Sequence, residues 1–385
     1  MNNKKILTII LIILFSFVAE RINTNKTDVY EEQNKISIKK NKNMLSMNLE
    51  QTAGAGDYKT VTRSSWPTKG YKFNAELSRC EKGSELSWDD TKKAVIMQGN
   101  VSDKCYVYFD IYQPSLAEYI KSQYTGTQGD NALYYHNSTL TNGAGDNSYR
   151  YAGASDSVNN YICLGSDVAT CPDANLFRII GVFGDQTKVI RAKSVGNKQW
   201  ATIYSDPWSS SSLNTYLNGE YLTSLGTLAD KIATTTWKVG GGLWDNIAGS
   251  VPKTAYQYEV GSSASGTTYG AKIGLMYVSD YYYSASPSAW TLVGYNSSDA
   301  TKDYRAATST NWLYLGSEEW TISRGSGRTT FAFSVYSTGN VGEDDVDNSH
   351  VARPSFNLES SITYISGDGT IEKPIRINWY TVDIL

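Results

Sequence analysis

The sequence predicts a mainly β protein in two modules. A small disulfide-stapled β-sandwich comes first, then a larger β-rich α+β domain with one to three short helices. Three observations carry this. Charged residues are only 19% of the chain, while 29 Tyr and 32 Gly, with abundant Ser and Thr, suit strands and turns better than helical bundles. Short apolar runs with a two-residue period recur, separated by Gly, Asn and Asp clusters. Four cysteines fall as two local pairs. The 385 residues leave room for two or three domains.

The chain opens on a basic pair, Lys4 and Lys5, and an apolar run from Ile6 to Ala19. That run is short of the ~20 residues of a membrane-crossing helix and fits a signal peptide. Phe17 sits where a cleavage site wants a small residue, so an uncleaved N-terminal anchor is the alternative for residues 1–19. Either way, the remainder is expected to be extracellular or in the cell envelope. Residues 20–43 are polar and Lys- and Asn-rich, which reads as a tether.

Residues 44–112 make the first module. "YKFN" (71–74), "AVIMQG" (94–99) and "CYVYFDIY" (105–112) read as strands, and in the last Val107, Phe109 and Ile111 alternate with polar-tipped residues. Export makes Cys80–Cys105 and Cys163–Cys171 two expected disulfides, closing loops of about 25 and about 8 residues. Pro114 ends the module. Ser115 then caps a predicted helix to Tyr124, the start of a domain running to residue 380. Within it, residues 124–153 read as an irregular hairpin, and "LFRIIGVFGDQTKVIRAKS" (176–194) as a clear one. Leu213, Tyr216, Leu217 and Tyr221 have helical spacing, and "LADKIATTTW" (228–237) suggests a second helix. The rest, including "AKIGLMYVSDYYY" (271–283) and "NWLYLG" (311–316), reads as strands and turns.

Two stretches resemble known families. Residues 49–112, with Trp66-Pro67, Phe73-Asn74, Cys80-Glu81, Leu86-Ser87-Trp88-Asp89 and Ser102-Asp103-Lys104-Cys105, resemble a module of uncharacterised exported surface proteins of Gram-positive gut bacteria. Residues 150–377, through "NLFRIIGVFGD", "EEWTISR" and "VARPSFNL", resemble a domain attached to the same proteins, itself distantly similar to the C-type-lectin and formylglycine-generating-enzyme superfold. The resemblance implies an exported surface protein and brings no catalytic residue. The lectin Trp-Asn-Asp run is here Trp244-Asp245-Asn246, and no late cysteines match those of the enzyme.

Candidate sites are few. In "YSTGNVGEDDVDNSHVARPSF", Glu343, Asp344, Asp345 and Asp347 form a candidate metal site, and Ca²⁺ is the ion that flexible oxygen ligands would suit. An EF-hand register fails, since His350 and Phe356 fall where Gly and Glu are needed. The competing reading is an exposed acidic loop. Arg353 precedes Pro354, is expected to enter a strand and to pair with a nearby carboxylate rather than bind a ligand, and such a pair is worth little if exposed. Asp89 and Asp90 are adjacent and read as turn residues, not as the two converging carboxylates of a glycosidase. The glycines between Trp237 and Trp244 lack the Lys-Ser/Thr of a phosphate loop. His136 and His350 both read as surface residues, with no nucleophile elbow nearby. The aromatic excess leaves Tyr281, Tyr282, Tyr283, Trp290, Trp312 and Trp320 as candidate ligand-binding residues, against core packing. No cofactor is expected. A net charge of −3 argues against nucleic acid. The expected function is non-catalytic binding of a glycan or protein at the cell surface. An extracellular hydrolase and an envelope spacer are the alternatives.

Overall fold

The computed structural model describes residues 45–67, 70–100, 102–204 and 207–378. The N-terminal apolar run and the tether lie outside them. Among the described residues no helix is long and apolar enough to cross a membrane. The chain divides into two compact units between Gln113 and Pro114.

The first unit is a four-stranded sheet and a hairpin. The sheet order is Tyr58–Val61, Leu45–Glu50, Cys105–Ile111, Tyr71–Cys80, with the two central strands parallel. The alternation read in "CYVYFDIY" turns Val107 and Phe109 inward, where they meet Met47 and Leu49. The hairpin Glu85–Asp89/Ala94–Gln98 lays Trp88 edge-on against Phe109, with ring centroids 5.8 Å apart. Asp89 accepts from the backbone N–H groups of Thr91 and Lys92, and Asp90 from the Trp88 indole, so both acids serve the turn. Cys80 and Cys105 are direct cross-strand partners and form the first disulfide.

The second unit is built around the hairpin Leu176–Phe183/Gln186–Arg191, the centre of a seven-stranded sheet. Its strands are buried along nearly their whole length, as a continuous apolar run requires. A five-stranded sheet (Asn197–Gln199, Ser349–Val351, Glu319–Arg324, Phe331–Val335 and Val341–Asp345, in that order) shares one hydrophobic core with it. Leu116–Ser122 is a helix whose Ser115 and Glu118 close a reciprocal capping box. Cys163–Cys171 is the second disulfide. Two closed disulfides suit an oxidising compartment.

Several segments depart from the sequence reading. "LADKIATTTW" is a 3₁₀ turn, Gly226–Lys231, followed by the strand Thr235–Lys238. Its β-branched threonines pair with Thr268–Ala271 instead of winding. "VSDYYY" is the helix Val278–Tyr283, because Asp280 reaches back to the Tyr277 N–H at 2.9 Å and caps it. "NWLYLG" is a turn, and Pro252–Glu259 is a helix with Pro at its first position. The glycines after Trp237 answer to packing. Gly241 has φ +64°, and a Cβ there would fall 1.7 Å from the Arg324 carbonyl oxygen.

Candidate functional site

The acidic stretch is not a loop. Val341–Asp345 is a strand paired with Phe331–Val335, and its two-residue period sends Asp344 to the face opposite Glu343 and Asp345. The four predicted metal ligands therefore do not converge. Glu343 is half-buried, which pushes its carboxyl up against the pull of Arg328. Asp347 acts on the Tyr204 phenol. Asp344 accepts from Asn348 Nδ2 at 2.7 Å and lies 2.7 Å from His350 Nε2. Glu318 stands 3.3 Å from the other ring nitrogen.

Glu318, Asp344 and His350 are the one group among the described residues with metal-ligand spacing. One nitrogen and two carboxylates are a poor match to Ca²⁺, which takes six to eight oxygens. His350 already bridges the two acids, with Trp320 against its ring at 4.3 Å. It is 6% exposed, so the surface reading of this histidine is corrected. Arg353 pairs with a carboxylate, as its sequence context suggests. Its pair with Glu319 is fully buried, through two 2.7 Å contacts.

The six aromatic candidates are core. Tyr281, Tyr282, Tyr283, Trp290, Trp312 and Trp320 are 0–3% exposed. Each polar tip donates to a backbone carbonyl: Gly339, Ile247, Asn142, Ala285, Tyr151 and Lys198 respectively, at 2.6–3.1 Å. With its polar atom satisfied by a backbone carbonyl, such a ring can bury completely, the hydrogen bond offsetting the desolvation of that atom. These residues form no binding face.

The structure places a different cluster in a cleft. On the seven-stranded sheet, Gly181 lies in the ladder between Arg150 on one side and Lys188 on the other. Two cations flank a residue with no side chain, and Asp280 answers both. Lys188 Nζ is 2.5 Å from Asp280, Arg150 is 3.6 Å from it, and Arg150 also holds Asp146 at 2.6 Å. Aromatic faces complete the enclosure. The Arg150 guanidinium lies 4.6 Å from the Phe183 centroid and 5.4 Å from that of Tyr256. Lys188 lies 4.6 Å from Tyr277 and 5.3 Å from Trp237. Behind Ser279, the buried Glu259 accepts from the N–H groups of Val278 and Ser279 and from the Ser323 hydroxyl.

Above this floor is a cavity of about 230 Å³. Its mouth is formed by Asp146, Phe183, Thr235, Lys238, Tyr256 and Asn357, all partly exposed. Asn357 Nδ2 donates to Thr235 Oγ1 at 3.0 Å, while its carbonyl oxygen is buried without a partner. Burial alone would raise the Asp146 carboxyl. Arg150 and Ser148 overcome that and hold it well below the ordinary carboxylate range. Burial pulls the Lys188 ammonium down, against Asp280, and pushes the Tyr256 and Tyr277 phenols up. The floor is thus a set of mutually satisfied ions. Asp146 holds no proton to donate, and Asp280 is committed to Lys188, Arg150 and the Tyr277 N–H. The arrangement can orient a polar ligand against aromatic walls. It offers no acid–base pair for hydrolysis.

His136 lies deeper, against Tyr283 and Trp290, and is fully buried, not at the surface. Its Nδ1 accepts from the Ala144 N–H at 3.1 Å. Burial, helped by Arg150, holds the imidazole neutral far below its ordinary range. Protonation then falls on the unfolded chain first. The contribution is full above about pH 6.5 and is lost as pH drops below it, by up to about 1.4 kcal/mol per unit. Urea unfolding at pH 7.5 and 5.5 checks this. A His136→Gln variant is expected to show a flatter dependence over that interval.

The sequence did hold a signal for the cluster. A charged residue inside a continuous apolar run, as in "YRY", "TKVIR" and "VSDYYY", is a buried charge that must find a partner. No protein family, curated protein or solved structure matches this chain.

Proposed function

We propose that this is an exported, non-catalytic binding protein of the cell surface, and that the Arg150–Lys188–Asp280 cleft is its glycan site. One observation carries the reading: a small concave pocket with aromatic walls and a polar floor whose charges are already paired. A sugar ring needs an apolar face to stack on and fixed hydrogen-bonding groups at its rim. The partly exposed rings of Tyr256 and Phe183 offer faces, and Asp146 and Lys238 offer polar contacts at the mouth. The volume, about 230 Å³, suits one ring and not a polymer-cleaving groove. A protein partner would ask for about 800 Å² of surface on this side. Export is supported by the N-terminal basic-apolar run, the two disulfides and the resemblance to exported surface proteins.

A glycan array probed with the full chain, with Ca²⁺ and with chelator, tests this. Chelator-resistant binding is expected, falling at least ~10-fold in Tyr256→Ala, in line with the roughly 1–3 kcal/mol of a stacked ring. Binding abolished by the chelator would move the site elsewhere.

A further inference from the structure

We propose that a second cavity in the larger unit binds a ring-sized organic acid, a carboxylate-bearing sugar of the uronic acid class. It is walled by the loop after Cys163, the end of the strand Gln186–Arg191 and the helical segment 216–228, and has a volume of about 460 Å³. The inference uses none of the residues of the first cleft and stands apart from that reading.

The chemistry of the lining is one-sided. No Asp or Glu borders the cavity, and Arg191 is its cation. Among the described residues Arg191 enters no ion pair within 4 Å. Its guanidinium donates to the Ser194 carbonyl at 3.0 Å, and its Nε is buried with no partner. The Tyr221 hydroxyl is also buried without a partner, on a side chain 7% exposed. Burial pushes that phenol up, so it remains a hydrogen-bond donor. Two buried donors without a partner, on two residues that border one cavity, are costly to keep, and a carboxylate drawn in by the Arg191 charge is the group that would satisfy them. Outside the cavity, Lys198 sits 4.0 Å over the Tyr216 ring, and the exposed Glu220 also acts on that phenol.

The backbone is bent to make this wall. Residues five apart on an ideal α-helix stand about 140° apart around the axis. Between Tyr216 and Tyr221 the helix takes a π turn, Leu217–Tyr221, and both rings border the one cavity, 6.5 Å apart. Such insertions recur at functional sites. The opposite wall is held rigid. The disulfide closes its loop, Arg376 donates to the Ser166 and Val168 carbonyls, and Asn175 donates to the Leu164 carbonyl at 2.7 Å. Leu225, Leu228 and the Tyr216 face supply apolar surface for a ring beside the anion.

Calorimetric titration of the full chain with glucuronate, glucose and inorganic phosphate tests the assignment. Saturable glucuronate binding is expected, with glucose at least ~10-fold weaker. Arg191→Gln should weaken glucuronate roughly 10- to 100-fold, the loss of a charged hydrogen bond. Tyr221→Phe keeps the ring and should weaken it several-fold, and it decides the matter if Arg191→Gln fails to fold. No glucuronate binding, or unchanged affinity in Tyr221→Phe and in folded Arg191→Gln, would overturn the site. Phosphate binding as tightly as glucuronate would overturn the sugar-acid class.

Discussion

Replacing Glu319 by alanine is expected to lower the stability of the larger unit by about 3–5 kcal/mol, the cost of stranding a buried charge. Arg353 is 2% exposed, and its guanidinium gives two hydrogen bonds to Glu319 and one to the Leu313 carbonyl. With the acid gone, the cation has neither water nor a counter-charge. Urea unfolding should show the loss, and melting should fall by about 2–4 °C per kcal/mol for a unit of this size. The double variant Glu319→Leu/Arg353→Met should lose less than the single one, since removing both charges leaves no orphan. A single variant within about 1 kcal/mol of the wild type would mean that the pair is more solvated than its burial implies.

Removing the Cys80–Cys105 bridge is expected to cost the first unit about 3.5 kcal/mol, the chain-entropy value for a 25-residue loop. That unit has a small core: Met47, Leu49, Val107 and Phe109 are the fully buried members of its cluster. A domain of this size has little stability to spare. A Cys80→Ala/Cys105→Ala variant should be cleaved within residues 45–113 by protease at 37 °C, while the larger unit resists. The eight-residue Cys163–Cys171 loop predicts a smaller loss, about 2.5 kcal/mol, in a unit with a far larger core. Equal resistance of variant and wild type would show that the sheet holds without its staple.

Much of the scaffold was legible in the sequence because local chemistry dictated it. The period of "CYVYFDIY", the N-cap at Ser115, the central hairpin and the cysteine pairs all appear where their residues put them. The errors have a common cause. Tyr and Trp rings that the sequence offers as ligand-binding candidates enter the core because backbone carbonyls up to 161 residues away accept from their polar atoms, and His136 enters it with one ring nitrogen bonded to the Ala144 N–H. The acids of 343–347 were grouped by adjacency, whereas the strand period splits them. The cleft is not legible in the sequence because Arg150, Lys188 and Asp280 lie up to 130 residues apart: sheet register sets the two cations on either side of Gly181, and the helix Val278–Tyr283 brings Asp280 to them.

Hydrogen–deuterium exchange of the full chain, with and without the best glycan from the array, tests the binding account most directly. Protection is predicted at residues 235–238, 254–260 and 277–281, which wall and floor the cleft. Protection confined to other segments, or an array without any glycan to carry forward, would contradict it.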